Sequence, residues 1–249
     1  MTLRLRVFAG PNGSGKSTLV EYFRKNATFH LYTVINPDEI KKALEIQGRY
    51  DLPFDISLQE LKDFAEASKR PDKEKIARGG ITIENNQIHF EKENITDYSI
   101  AIFADFLREE FLKRRKSFST ETVFSHPSKI DLLKRASERG YRNYLYFIAT
   151  ENPELNILRI QNRVEQGGHD VPVEKIFERY ERCIKNANEA LHYVQRAYFF
   201  DNSLLNKLRY LGEFTENGEF IDYQKNTIRK TDNTLPLWFK KILLDKGKQ

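Results

Sequence analysis

The chain has one cysteine, one tryptophan and one methionine among 249 residues. A lone thiol, Cys183, excludes an internal disulfide and argues against a secreted, cystine-stapled fold. No apolar run approaches the roughly 18 to 20 residues of a membrane-spanning helix. The first residues are too polar, and meet a glycine-rich loop too soon, to read as a signal peptide. His169 has no second histidine or cysteine at a ligand spacing, so a zinc-type site is not expected. There is no internal repeat, low-complexity tract or linker. These absences predict a soluble cytoplasmic protein with no membrane association. At this length it can bury a sizeable core as one α/β domain carrying elaborations.

The most informative segment present is Gly10-Pro11-Asn12-Gly13-Ser14-Gly15-Lys16-Ser17, followed by Thr18. It fits G-x-x-x-x-G-K-[S/T], the phosphate-binding P-loop. Glycines let backbone N–H groups curl around phosphate oxygens without a side chain in the way. A lysine at position 16 can bridge the β- and γ-phosphates, and the Ser17 hydroxyl can ligate Mg²⁺. The apolar run before the loop, residues 3–9, reads as a buried strand, and residues 17–26 as a helix whose positive end faces the anion. A formal charge of +5 suits an anionic nucleotide without demanding nucleic acid. The densest basic run, Lys113-Arg114-Arg115-Lys116, reads as a solvated helix end.

Strand and helix signals then alternate. Strands are predicted at 31–35, 118–124, 144–149 and 198–200, and helices at 57–69, 97–116, 127–139, 153–166 and 173–195. A further helix starts at Asp38, residues 208–223 read as a terminal hairpin around Asn217-Gly218, and 235–244 as a closing helix. The pattern predicts an α/β protein of the P-loop NTPase fold, with a mostly parallel sheet and helices on both faces. Residues 1–249 read as a single domain. Within it, 70–96 breaks the rhythm as an insert or small hairpin, and 204–249 is a C-terminal elaboration.

Ligands bind such sheets at the carboxyl ends of the strands, and four clusters fall there. Asp38, in Asn36-Pro37-Asp38, can accept a proton from a substrate hydroxyl, hold Mg²⁺ through water, or simply cap a helix. Ser119-Thr120-Glu121-Thr122 can grip a polar substrate, assist with Mg²⁺, or end a strand. Arg159, Arg163, Arg179 and Arg182 flank Gly167-Gly168-His169-Asp170-Val171-Pro172, the pattern of a helical lid. Arginines there can fork onto phosphate, or pair with Glu165, Glu178 and Glu181 at the surface. Asp201-Asn202-Ser203 reads as a plain turn, with a place near a nucleotide base as the alternative.

With these residues in view, the chain resembles the zeta-toxin family of P-loop kinases. The resemblance runs through 10–18, Asn36-Pro37-Asp38, 119–122, Arg163 with 167–172, Arg179 to Arg182, and 200–203. It implies a parallel five-stranded core, ATP and Mg²⁺ as cofactors, and phosphate transfer to a sugar hydroxyl, UDP-N-acetylglucosamine in the best-known members. A small antitoxin that occludes the ATP site is the implied partner. By motif, Lys16 holds the phosphates, Ser17 and Asp38 serve the metal, and Asp38 is the general base. Glu121 and Thr122 sit near the acceptor, and Arg163 and Arg179 clamp the phosphates. Two other readings stay open: a nucleic-acid or nucleoside end kinase, and an ATP-gated binding module without kinase activity.

Overall fold

A computed structural model describes residues 2–26, 29–167, 170–204, 207–221 and 235–246. The elements run β1 (Arg4–Gly10), α1 (Lys16–Asn26), β2 (Thr33–Ile35), α2 (Pro37–Gln47), β3 (Tyr50–Asp51), α3 (Leu58–Glu66) and α4 (Glu74–Ala77). Next come β4 (Ile81–Glu84), β5 (Gln87–Phe90), α5 (Asp97–Lys113), β6 (Phe118–Val123), α6 (Ser128–Glu138) and β7 (Arg142–Ala149). The chain closes with α7 (Pro153–Glu165), α8 (Val173–Ala190), β8 (Arg196–Leu204), β9 (Lys207–Thr215), β10 (Phe220–Ile221) and α9 (Leu237–Lys246). Two compact units emerge, residues 1–31 with 119–249, and residues 32–118.

The first unit carries the P-loop. Its strands follow the order β10-β9-β8-β7-β1-β6. β1 runs parallel to β7, and β7 parallel to β8. Leu5, Val7, Phe8 and Ala9 are all buried, as expected of a parallel strand covered on both faces. One face is sealed by α1, whose Phe23 meets Phe8, Tyr146 and Phe200. On α9, Trp238 packs on Phe147 and Phe199, and Phe239 on Phe199 and Phe220.

Within this unit the sheet already has six strands, against five expected for the whole core. The expected hairpin does not stand apart: β9 pairs antiparallel along β8, and β10 along β9, so both extend the sheet. The pairing also lengthens β8, expected only over 198–200, to take in Asp201, Asn202 and Ser203. Those residues are therefore strand, not a plain turn. The predicted hairpin residues Asp222 and Tyr223, and Gly168 and His169 of the predicted lid, lie outside the described residues.

The second unit is organised around α5. Its Phe103, Phe106 and Phe111 pack on Phe90, Phe64 and Phe54 respectively. Residues 81–90 form an antiparallel hairpin whose turn residues, Asn85 and Asn86, both have positive φ. Asparagine tolerates that region and suits a two-residue hairpin turn. The basic run after α5 is tied down locally. Lys113 pairs with Glu60 and Glu110, and Arg114 with Glu110 while lying over Phe54. Those contacts match a helix end better than a nucleic-acid track.

Candidate active site

The P-loop joins β1 to α1 through residues that need glycine. Gly10, Gly13 and Gly15 have φ of +154°, +75° and +98°. A Cβ on Gly15 would stand 2.4 Å from Asn202 Nδ2, and one on Gly13 would stand 2.7 Å from the Asn156 carbonyl oxygen. The loop is therefore pressed against α7 and β8, and no larger residue fits there. Lys16, almost wholly buried, donates from Nζ to the Pro11 carbonyl at 2.8 Å, which holds its ammonium over the loop. Ser14 is fully buried, and among the described residues its Oγ has no hydrogen-bond partner. An unspent buried hydroxyl in a loop of upturned backbone is a donor set that fits a phosphate group.

Ser17 Oγ donates to Glu121 Oε1 at 2.8 Å. Glu121 is 4% exposed, near the end of β6. The sequence left its cluster to grip a substrate, assist with Mg²⁺ or end a strand; Glu121 lies on the hydroxyl that P-loop chemistry gives to Mg²⁺. A serine hydroxyl and a carboxylate side by side form a hard oxygen pair of the kind that holds that ion. The Thr122 hydroxyl, half-buried, donates to the Val123 carbonyl at 3.3 Å.

The arginines separate by position. Arg179, half-buried on α8, donates to Asn12 Oδ1 at 3.3 Å, and so reaches the P-loop itself. Arg159 on α7 donates to the Asn202 carbonyl at 2.7 Å; burial lowers its pKa below the ordinary value, and Asp201 opposes that shift. Arg163 is exposed towards the end of α7, and Arg182 pairs with Glu178 at the surface. Asp38 belongs to the second unit. There it sits, exposed, in the first turn of α2, and its N–H donates to the Asn36 side chain at 3.0 Å. The helix cap is thus Asn36, which leaves the Asp38 carboxylate clear of that duty.

Two residues behind the loop, Thr150 and Asn156, were not singled out from sequence. Tyr180 donates to the Thr150 carbonyl at 2.5 Å, and the Thr150 hydroxyl contacts Asn156 Oδ1 at 2.7 Å, so α8, β7 and α7 are laced together behind Gly13. Cys183, beside them on α8, is fully buried, and burial pushes its thiol up to about 12. It is packing, not a nucleophile. Asparagines that brace a loop carry no spacing signature, so nothing in the sequence marked Asn156, and Asn202 stood out only as part of a turn or a neighbour of the nucleotide base, not as a brace of the loop.

The family model described as "Zeta toxin" matches residues 91–224. The chain belongs to the zeta toxin family. That match excludes residues 10–18, so the P-loop is a separate signal pointing the same way. An uncharacterized protein of Haemophilus influenzae is 33% identical over 69 residues, 28% of this chain and 49% of that relative. The chain thus spans about half the length of the curated relative it matches. A solved structure of AvrRxo1-ORF1:-ORF2 with ATP aligns with a TM-score of 0.55 at 16% identity, over 95% of this chain and 67% of that one. The same pair with sulphate ions aligns at 0.55 and 15% identity, over 93% and 66%. At such identities the likeness is one of fold. No helix among the described residues is long and apolar enough to cross a membrane.

Proposed function

We propose that this zeta toxin family member is an ATP- and Mg²⁺-dependent phosphotransferase that acts in the cytoplasm on a hydroxyl of a small molecule. The observation that carries the reading is the Ser17–Glu121 pair at 2.8 Å, set at the mouth of a P-loop whose Lys16 is buried. ATP is the phosphoryl donor, and a Mg²⁺ held by Ser17 and Glu121 would offset negative charge on its phosphates. Gly10 to Thr18 wrap the phosphates, with Ser17 and Glu121 on the metal side. Lys16 and Arg179 hold positive charge against the oxygens of the transferring group, where fixed donors contribute most. Arg163 is the second phosphate clamp, supplied from the lid region. Asp38 is the general base, with a metal contact through water, and Thr122 helps seat the acceptor. The whole family-type domain, 1–249, is the working unit.

By family resemblance the acceptor is a sugar nucleotide such as UDP-N-acetylglucosamine, and the partner a small antitoxin. The similar AvrRxo1-ORF1 structures, solved with AvrRxo1-ORF2 and in one case with ATP, support a nucleotide-binding chain that takes a protein partner.

The test is transfer of labelled phosphate from ATP across a sugar-nucleotide panel led by UDP-N-acetylglucosamine. The unaltered protein yields a phosphorylated sugar. Asp38→Ala still binds ATP and transfers nothing, because the base is gone and the cradle remains. Full transfer by Asp38→Ala removes that role, and binding without transfer to any acceptor favours a regulatory module.

A further inference from the structure

Asp201-Asn202-Ser203 at the end of β8 does three different jobs at once. Asn202 Nδ2 donates to the Ser14 carbonyl at 2.8 Å. Ser203 Oγ donates to Asp201 Oδ1 at 2.6 Å and accepts from the Glu151 N–H at 2.8 Å. Asp201, buried, is also approached at 3.5 Å by Nε1 of Trp238, the chain's sole tryptophan. From the other side Arg159 Nη2 donates to the Asn202 carbonyl, while its Nη1 is buried with no hydrogen-bond partner among the described residues.

We propose that Asn202 is a positioning residue for nucleotide binding: it sets the P-loop by holding the Ser14 carbonyl, and Arg159 in turn holds Asn202. The inference rests on the reading of the P-loop as an ATP site. Its physical basis is the geometry around Gly15. The loop turns at a positive φ there, and the Asn202 amide occupies the only space a Cβ would take. A carbonyl anchored at Ser14 fixes the peptide plane on which the neighbouring N–H directions depend. Those N–H groups are the phosphate donors of a P-loop. Asn202 touches no reacting group in this scheme and acts through the loop alone.

The contact between Trp238 and Asp201 makes the relay observable. A nucleotide that shifts the Ser14 peptide pulls on Asn202, and the adjacent Asp201 carries the shift to the indole. The experiment titrates the full chain with a fluorescent, non-hydrolysable ATP analogue and Mg²⁺, and reads analogue binding and tryptophan emission separately. The unaltered protein binds and its tryptophan emission changes. Asn202→Ala binds about tenfold more weakly, the loss of one buried hydrogen bond. At saturating analogue it gives no tryptophan change. Asn202→Asp, which presents an acceptor to an acceptor, is at least as weak. Arg159→Lys keeps one donor for the Asn202 carbonyl and retains both signals, while Arg159→Ala loses the tryptophan response.

Should Asn202→Ala fail to fold, the two Arg159 variants decide, and equal responses from them overturn the relay. Binding and emission unchanged in Asn202→Ala overturn the inference and leave the ATP site standing. No binding by the unaltered protein overturns the ATP site, and the inference with it.

Discussion

Replacing Gly15 by alanine tests the packing of the P-loop with a magnitude that can be worked out beforehand. The residue sits at φ +98°, and its new Cβ would stand 2.4 Å from Asn202 Nδ2. Holding an L-residue in the left-handed region costs about 1–2 kcal/mol. Asn202 must then swing aside and release the Ser14 carbonyl, which costs about another 1 kcal/mol. The sum is roughly 2–3 kcal/mol, or about 8 °C in Tm for a chain of this size. Gly140, in the same unit, is the internal control. Its φ is +79°, and a Cβ there meets nothing within 4 Å. Gly140→Ala therefore suffers the backbone cost alone, about 5 °C. Differential scanning calorimetry of the two variants isolates the Asn202 term as the difference between them. Equal drops would mean that Gly15 is needed only for its φ and that Asn202 does not brace the loop.

Two further outcomes follow from the site. Glu121→Gln keeps the shape beside Ser17 but removes the charge, so Mg²⁺-dependent nucleotide binding weakens by on the order of tenfold while binding in chelator stays unchanged; isothermal titration with and without the metal checks this. The Cys183 thiol is raised from 9.0 to about 12 by burial, so the folded state keeps a proton that the unfolded chain gives up. That contribution is complete below pH 9 and is lost as pH climbs towards 12. Melting temperature should fall over that window, and fall less steeply in Cys183→Ala.

Legibility in the sequence followed the range of the interaction. The P-loop is one contiguous segment whose residue types each have a local reason, and its strand and helix lay within two residues of their expected bounds. For 70–96 the sequence left an insert or a small hairpin open, and the hairpin is what 81–90 forms; the end of α5 was legible from its basic run, because helix dipoles are local. The strand count was missed because a hairpin's own sequence does not say whether its edge joins a larger sheet. Asp201-Asn202-Ser203 was misjudged as a turn for the same reason: β9 keeps it extended, and β9 is a partner, not a neighbour property.

What the sequence determined alone was therefore the family, the α/β class and the phosphate loop, since each is written in short-range pattern. Which distant side chains complete that loop was left to the packing of the sheet and helices. Glu121 meets Ser17 across 104 residues, Arg179 meets Asn12 across 167, and Asn202 meets Ser14 across 188. Such pairs are set by strand order, which brings β7 beside β1 and β8 beside β7 whatever their separation along the chain. Residue type proposes a partner, and the hydrogen-bonded sheet decides which one is within reach.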